Sequence, residues 1–333
     1  MTHQQPLFIL APMDEVTDTV FRQIIASTAK PDLFFTEFVN VDGLNSPGRE
    51  KLLPKLRFTA SEQPLIAQVW GKKPENFYLF CQQVADGSLA KELGLPAGVN
   101  FAGVDLNMGC PAKSEVQNGT CAALIKPENR ELALAIIRAS REGLAASPTP
   151  LPLSVKTRLG FSDVDFTWHK ALLSEKLNML TIHGRTRKQM SKVPADWSLI
   201  GEVVKLRDSL SPATKIVGNG DVMSKDQGRQ LAEQYGLDGI MIGRGIFSDP
   251  FVFADASPWE AMTRQERIAL YTRHVQLYQQ TWGDSYRPVR VLNKFCKVYI
   301  NGFDGAKELR EQLMAATSTA QLLSLLDQTK QSA

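Results

Sequence analysis

Short apolar runs recur through the first three quarters of the chain. Each is followed by a stretch whose apolar residues fall at helical spacing. The runs lie at residues 7–10, 33–39, 65–70, 103–106, 153–158, 179–185, 215–221 and 239–245. Asp18 and Thr19 open a helix carrying Phe21, Ile24 and Ile25, Pro74 starts another, and a helical stretch near residues 132–138 precedes the fifth run. Eight strands alternating with helices over roughly 250 residues predict a (β/α)8 TIM barrel. A doubly wound open sheet is the competing reading, and the regular alternation and absence of an early GxGxxG count against it.

Beyond Pro250 the pattern changes. Apolar residues such as Ile268, Tyr271, Val275, Tyr278, Phe295, Tyr299, Leu309 and Leu313 recur at helical spacing, with no strand-like run between them. A small C-terminal helical domain is expected. With the boundary at Asp249-Pro250, the barrel takes residues 1–250 and the helical domain residues 251–333.

The 333 residues, 43% hydrophobic and 22% charged, describe an ordinary folded protein. A net charge of +3 permits a nucleic-acid partner without requiring one. Cys81, Cys110, Cys121 and Cys296 are widely spaced with no CxxC pair, so neither a zinc site nor a disulfide framework is expected. The first residues carry no basic segment followed by a long apolar stretch, and no run is long enough to cross a bilayer. A cytoplasmic monomer, with no membrane or metal partner, is the expectation.

The strand ends carry unusual polarity: Met13, Glu37, Gln68, Asn107 and Cys110, Lys156 and Arg158, His183 and Arg185, Asn219 and Asp221, Gly243 and Arg244. Function in a (β/α)8 barrel sits at those ends. The richest stretch runs from Val104 to Leu124, where a strand breaks at Asn107, Gly109, Cys110 and Pro111 and displays a thiol on a polar loop. Taken alone, a strand-end cysteine is as readily a buried structural residue. Glycine-bearing turns at 218–220 and 243–245, the latter holding Arg244, stand where these barrels frequently bind phosphate. Phosphate there, with amides, an ammonium and an imidazole at other strand ends, points to flavin mononucleotide (FMN). Gln68 and Asn107 suit the ring edge, and Lys156 suits the end where charge gathers on reduction.

Ala11-Pro12-Met13, Asn107-Met108-Gly109-Cys110-Pro111, Val155-Lys156-Thr157-Arg158, His183-Gly184-Arg185-Thr186, Gly218-Asn219-Gly220-Asp221 and Met241-Ile242-Gly243-Arg244-Gly245 occur in that order. Together they resemble the tRNA-dihydrouridine synthases. The resemblance implies an FMN-dependent enzyme that reduces tRNA uridines, with NADPH as electron donor. It implies FMN contacts from Pro12, Met13, Gln68, Asn107, Lys156, His183, Asn219, Asp221, Gly243 and Arg244, and Cys110 as general acid. A thiol that donates a proton is expected to keep an undepressed pKa. Asn107, Arg158 and Arg185 are candidate substrate contacts. In the tail, Arg287, Arg290, Lys294 and Lys297 would meet tRNA phosphates, with Tyr286 and Tyr299 available for stacking.

The chain departs from the family pattern after Cys110. The loop reads Gln117-Asn118-Gly119-Thr120-Cys121 where members often carry more glycine, and Cys121 brings a second thiol. The stretch from Gly87 to Gly98 exceeds a minimal connection. An FMN barrel reducing a small unsaturated molecule, and a tRNA-binding protein with dispensable flavin chemistry, stand as alternatives.

Overall fold

The computed structural model describes residues 5–147 and 149–331. Nine strand segments form one parallel sheet: β1 (Leu7–Leu10), β2 (Phe34–Phe35), β3 (Val39–Asn40), β4 (Leu65–Trp70), β5 (Gly103–Asn107), β6 (Leu153–Arg158), β7 (Met179–His183), β8 (Lys215–Asn219) and β9 (Gly239–Ile242). Their order is β1-β9-β8-β7-β6-β5-β4-β2, with β3 also on β4. A parallel bridge from Ile9 to Leu33 brings β1 beside the entry to β2, so the sheet curls into a nearly closed barrel.

The second run of the sequence splits into β2 and β3 for a local reason. The Gln68 N–H, which a ladder would send to a backbone carbonyl, donates instead to Thr36 Oγ1 at 3.0 Å. Pairing resumes where Val39 stands opposite Val69. The last three runs extend to residues 185, 221 and 245 in the sequence, but their strands end at His183, Asn219 and Ile242, because a glycine-bearing turn follows each.

Inward-facing residues sort into two zones. Ile9, Ala11, Phe35, Ile66, Met179, Val217 and Met241 form a buried apolar cluster of aliphatic, aromatic and sulfur side chains. Alternation then carries Gln68, Asn107, Lys156, Thr181, His183 and Asn219 onto the same inner face nearer the C-terminal ends. The strands therefore deliver a polar rim above an apolar base. Between helix Pro74–Ala85 and β5, the long connection folds a short helix, Ser88–Glu92, bounded by left-handed glycines Gly87 and Gly94.

By compactness the chain divides into residues 1–19 with 31–243, and residues 20–30 with 244–333. The first helix, Thr19–Thr28, thus groups mainly with the C-terminal helices. Its Phe21 packs on Phe295 with ring centroids 4.8 Å apart. Helix Arg264–Tyr286 opens on a capping box of Thr263 and Glu266 and is interrupted at Gly283. Helices Asn293–Tyr299, Ala306–Met314 and Thr319–Gln331 complete the unit. Among the described residues no helix is long and apolar enough to cross a membrane.

Candidate active site

The end of β5 holds the first part of the site. Asn107 Oδ1 accepts the backbone N–H groups of Gly109 and Cys110 at 3.1 and 3.0 Å, so one side chain shapes the turn that presents the thiol. Gly109 lies against β6. A Cβ there would stand 3.2 Å from Lys156 O and from Thr157 Cα, a closeness that favours glycine. Met108 N–H donates to Lys156 O at 2.9 Å, and Arg158 Nε donates to Gly109 O at 2.7 Å.

Beyond Cys110 the chain makes a short helix, Lys113–Gln117, and returns through Thr120, whose N–H and hydroxyl both donate to Glu115 O. Ala122 N–H donates to Cys110 O at 3.2 Å, closing the loop and setting Cys121 beside Cys110. Cys121 is fully buried with a left-handed backbone, φ 52°, where glycine would fit without strain.

That neighbour overturns the expectation of an ordinary thiol. The Cys110 pKa is pushed down to about 7, chiefly by hydrogen bonding with Cys121 and also by the N–H of Ala112 and the charge of Arg158; burial and Glu115 oppose this. The Cys121 thiol is pushed well above its usual range by the same bond and by burial. A group that gives up a proton works best with a pKa near the working pH, so a lowered value suits a general acid that must also be protonated part of the time.

Lys156 and Asn219 form the second part. Lys156 Nζ donates to Asn219 Oδ1 at 3.2 Å, and Asn219 Nδ2 donates to Met241 O at 2.8 Å. Burial first, then Arg158, pushes the Lys156 pKa down to about 8, while Asp105 and Cys110 draw it up. The hydroxyl of Thr181, opposite Lys156 in the sheet, is buried without a protein partner.

The third part gathers at β7 and β8. Arg185 is buried and donates to Val193 O at 2.5 Å, to His183 Nε2 at 3.1 Å, and to the Asp221 carboxylate in an ion pair. A guanidinium only donates, so His183 Nε2 accepts and the ring proton stands on Nδ1. Asp221 also accepts Ala195 N–H at 2.9 Å. It sits at φ 57° after Gly220 at φ 138°, where a Cβ would lie 2.6 Å from Ala195 Cβ.

The expected residues divide by place. Gln68, Asn107, Cys110, Lys156 and Asn219 are linked through the bonds above or through Gln68, whose Oε1 accepts Asn107 Nδ2 at 3.2 Å. Pro12 is buried and Met13 half-buried at the end of β1, and Met13 Sδ lies 3.9 Å from where a Cβ on Gly243 would stand. Arg244 is exposed and precedes helix Gly245–Ser248. Arg158, expected at substrate, is 7% exposed and spends Nη1 on Thr186 O and Met190 O, at 3.2 and 3.1 Å. Arg185 is likewise committed to protein groups.

In the second unit Arg290, Lys294 and Lys297 are exposed and Arg287 is half-buried, its guanidinium 4.6 Å above the Trp282 ring. Tyr286 is 48% exposed and stacks on Trp282. Tyr299 is fully buried and bonded to His274 at 3.0 Å, so the expectation that it offers a stacking surface fails. Arg267 also turns inward, onto Trp259 O and Asn301 O. Sequence reasoning missed Asp105 and Ser154 inside the barrel, and Phe161 flanked by Lys126 and Arg187 at 4.8 and 5.4 Å. A carboxylate alternating with branched apolar residues in a buried strand was the available signal for Asp105.

A planar ring with carbonyl and N–H edges asks for donors and acceptors together. The rim supplies three amides, an ammonium, an imidazole N–H and an unpartnered hydroxyl, a set that fits a flavin.

Residues 9–333 match the model of the family described as dihydrouridine synthase (Dus). The chain is 43% identical over 327 residues to a probable tRNA-dihydrouridine synthase 2 of Bacillus subtilis, covering 97% of this chain and 94% of that protein. It is 42% identical over 330 residues to a probable tRNA-dihydrouridine synthase of Staphylococcus epidermidis, covering 98% and 94%. Among solved structures, histamine dehydrogenase from Rhizobium sp. 4-9 shares the fold at a TM-score of 0.54 and 13% identity, covering 81% of this chain and 48% of that one. Motif order, barrel and full-length likeness agree: this chain belongs to the dihydrouridine synthase family.

Proposed function

We propose that the chain reduces uridines of tRNA to dihydrouridine with bound FMN, and that Cys110 is the proton donor. One observation carries the residue assignment: Asn107 touches both Gln68 and the backbone of Cys110, so the thiol is built onto the amides suited to a flavin edge.

Pro12, Met13, Gln68, Asn107, Lys156, His183, Asn219, Asp221, Gly243 and Arg244 would hold FMN. Bound flavin supplies the hydride that reaches C6 of the uracil. Lys156 would offset negative charge on the ring, and its lowered pKa keeps it able to respond to that charge. Asp221 and Arg185 hold His183 in one tautomer. Cys110 gives its proton to C5, the S–H bond breaking as C5–H forms, and keeps the electron pair as a thiolate. Hydrogen bonding from Cys121 and the charge of Arg158 stabilise that thiolate until solvent returns a proton.

The target base must leave its stack to reach a strand-end cavity, so other surfaces have to hold the RNA. Arg287, Arg290, Lys294 and Lys297 would contact phosphates, and Tyr286 offers a ring for stacking. The Phe161 ring with Lys126 and Arg187 is a second cationic-aromatic surface of the same chemistry. NADPH would re-reduce the flavin, and the protein would act as a cytoplasmic monomer.

The test incubates unmodified tRNA with enzyme, FMN and NADPH, then measures dihydrouridine in the digested nucleosides. Wild-type protein is expected to form it. Cys110→Ala is expected to lose about a hundredfold or more in rate while still binding flavin, the usual reach of general acid catalysis. Full activity in Cys110→Ala would remove the assignment. Bleaching rates with NADPH and NADH decide the donor.

A further inference from the structure

Below the rim lies a carboxylate that the proposed chemistry does not use. Asp105 points into the barrel and is fully buried. It stands in register between Gln68 on β4 and Ser154 on β6. Its two oxygens are taken separately: Gln68 Nε2 donates to Oδ2 at 2.7 Å, and Ser154 Oγ donates to Oδ1 at 2.5 Å. Burial raises the Asp105 pKa to about 6, against the bonds from Ser154 and Gln68 and the charge of Lys156.

An ionised carboxylate only accepts, and a primary amide has one donating and one accepting end. Asp105 therefore draws the Gln68 nitrogen toward itself, which turns Gln68 Oε1 to Asn107. Asn107 answers with Nδ2 at 3.2 Å, which leaves Oδ1 for the N–H groups of Gly109 and Cys110. Each amide would otherwise have two orientations of nearly equal shape. One acceptor at the base of the relay removes that choice twice.

We infer that Asp105 is a positioning residue: through Gln68 and Asn107 it fixes which ends of the two amides face the flavin and the Cys110 turn. This rests on the function proposed above. Reversal of the relay would put N–H groups against N–H groups at Cys110, moving the thiol without removing any group that touches substrate. Such displacements lower kcat and leave KM for the RNA, which is held elsewhere, largely in place.

The experiment measures tRNA-dependent reoxidation of the reduced flavoprotein, under excess FMN, for Asp105→Asn, Asp105→Leu, Gln68→Met and Asp105→Leu/Gln68→Met. Asp105→Asn keeps an acceptor for Gln68 and can donate to Ser154, so its kcat is expected within about threefold of wild type. Asp105→Leu is expected to lose about tenfold or more in kcat with little change in KM. In the Gln68→Met background the Asp105→Leu change is expected to cost nothing further, because the relay is already cut. That doubly apolar protein strands no buried carboxylate, so it answers the question even where Asp105→Leu is insoluble. A wild-type kcat in Asp105→Leu overturns the inference, as does an Asp105→Asn protein as slow as Asp105→Leu, or a further tenfold loss in the double variant. If wild-type protein itself shows no reoxidation by tRNA, the functional reading has failed and the relay is not at issue.

Discussion

Arg158 donates from Nε to the carbonyl of Gly109 at 2.7 Å, and so ties the end of β6 to the residue just before the thiol. The same guanidinium holds Thr186 O and Met190 O after β7. Burial pushes its pKa down to about 10, which leaves it a cation at neutral pH. Arg158→Met should strand three carbonyls, costing about 2–4 kcal/mol of stability against urea. It should also raise the Cys110 pKa by removing a nearby positive charge, and alkylation of Cys110 followed against pH reads that shift. A variant with wild-type stability and an unmoved thiol would mean that Arg158 serves neither purpose.

The Cys110–Cys121 pair has a distinct pH signature. With Cys110 near 7, the free enzyme carries the donor proton below that pH and loses it above, so kcat/KM for tRNA is expected to fall as pH rises through about 7. Cys121→Gly suits the left-handed backbone and removes the second thiol. The alkaline limb is then expected to move to higher pH. A limb unaffected by Cys121→Gly would show that the two sulfurs are not coupled.

Asp105 makes a stability statement of the opposite sense to a surface carboxylate. Its folded pKa, about 6, lies above its ordinary 3.8, so the folded state binds the proton more tightly. Stability from this group is present at low pH and is lost as pH rises from about 4 to 6, by roughly 3 kcal/mol. Urea unfolding of wild type and Asp105→Asn across that range should show this slope only in the wild type. Parallel curves would mean that the carboxylate titrates normally.

Much of this molecule is legible in the sequence, for identifiable reasons. Residues 65–70 and 153–158 read as strands at their true bounds, because LIAQVW is an apolar run broken only by Gln68 and LSVKTR begins with the alternation of a strand. Asn107 and Cys110 announce themselves by breaking a strand with NMGCP. What fails to show is partner choice. Thr36 looks like any strand residue, yet its hydroxyl takes a ladder N–H and splits the strand. Arg158 and Arg185 sit at strand ends like ligand contacts, yet they are spent on backbone carbonyls and Asp221. The depressed Cys110 pKa depends on Cys121, eleven positions away in sequence and adjacent only after the loop closes.

Arg185 gives a prediction that separates binding from proton transfer. Its bonds to His183 Nε2 and Asp221 fix two of the expected flavin contacts at once. Arg185→Met should weaken FMN binding by about tenfold, roughly 1.4 kcal/mol, and leave the Cys110 alkylation profile in place. Equilibrium titration of the apoprotein with FMN measures the first effect. Unchanged FMN affinity would place the ion pair outside cofactor binding.

The most direct measurement follows the flavin itself without oxygen. Purified protein is loaded with FMN, reduced with NADPH, and then mixed anaerobically with unmodified tRNA while the visible spectrum is recorded. The yellow absorbance is expected to bleach with NADPH, to return on adding tRNA, and to return far more slowly in Cys110→Ala. A reduced flavin that ignores unmodified tRNA but is reoxidised by a small unsaturated compound would contradict tRNA reduction, and a protein that cannot be loaded with FMN would contradict the flavin site.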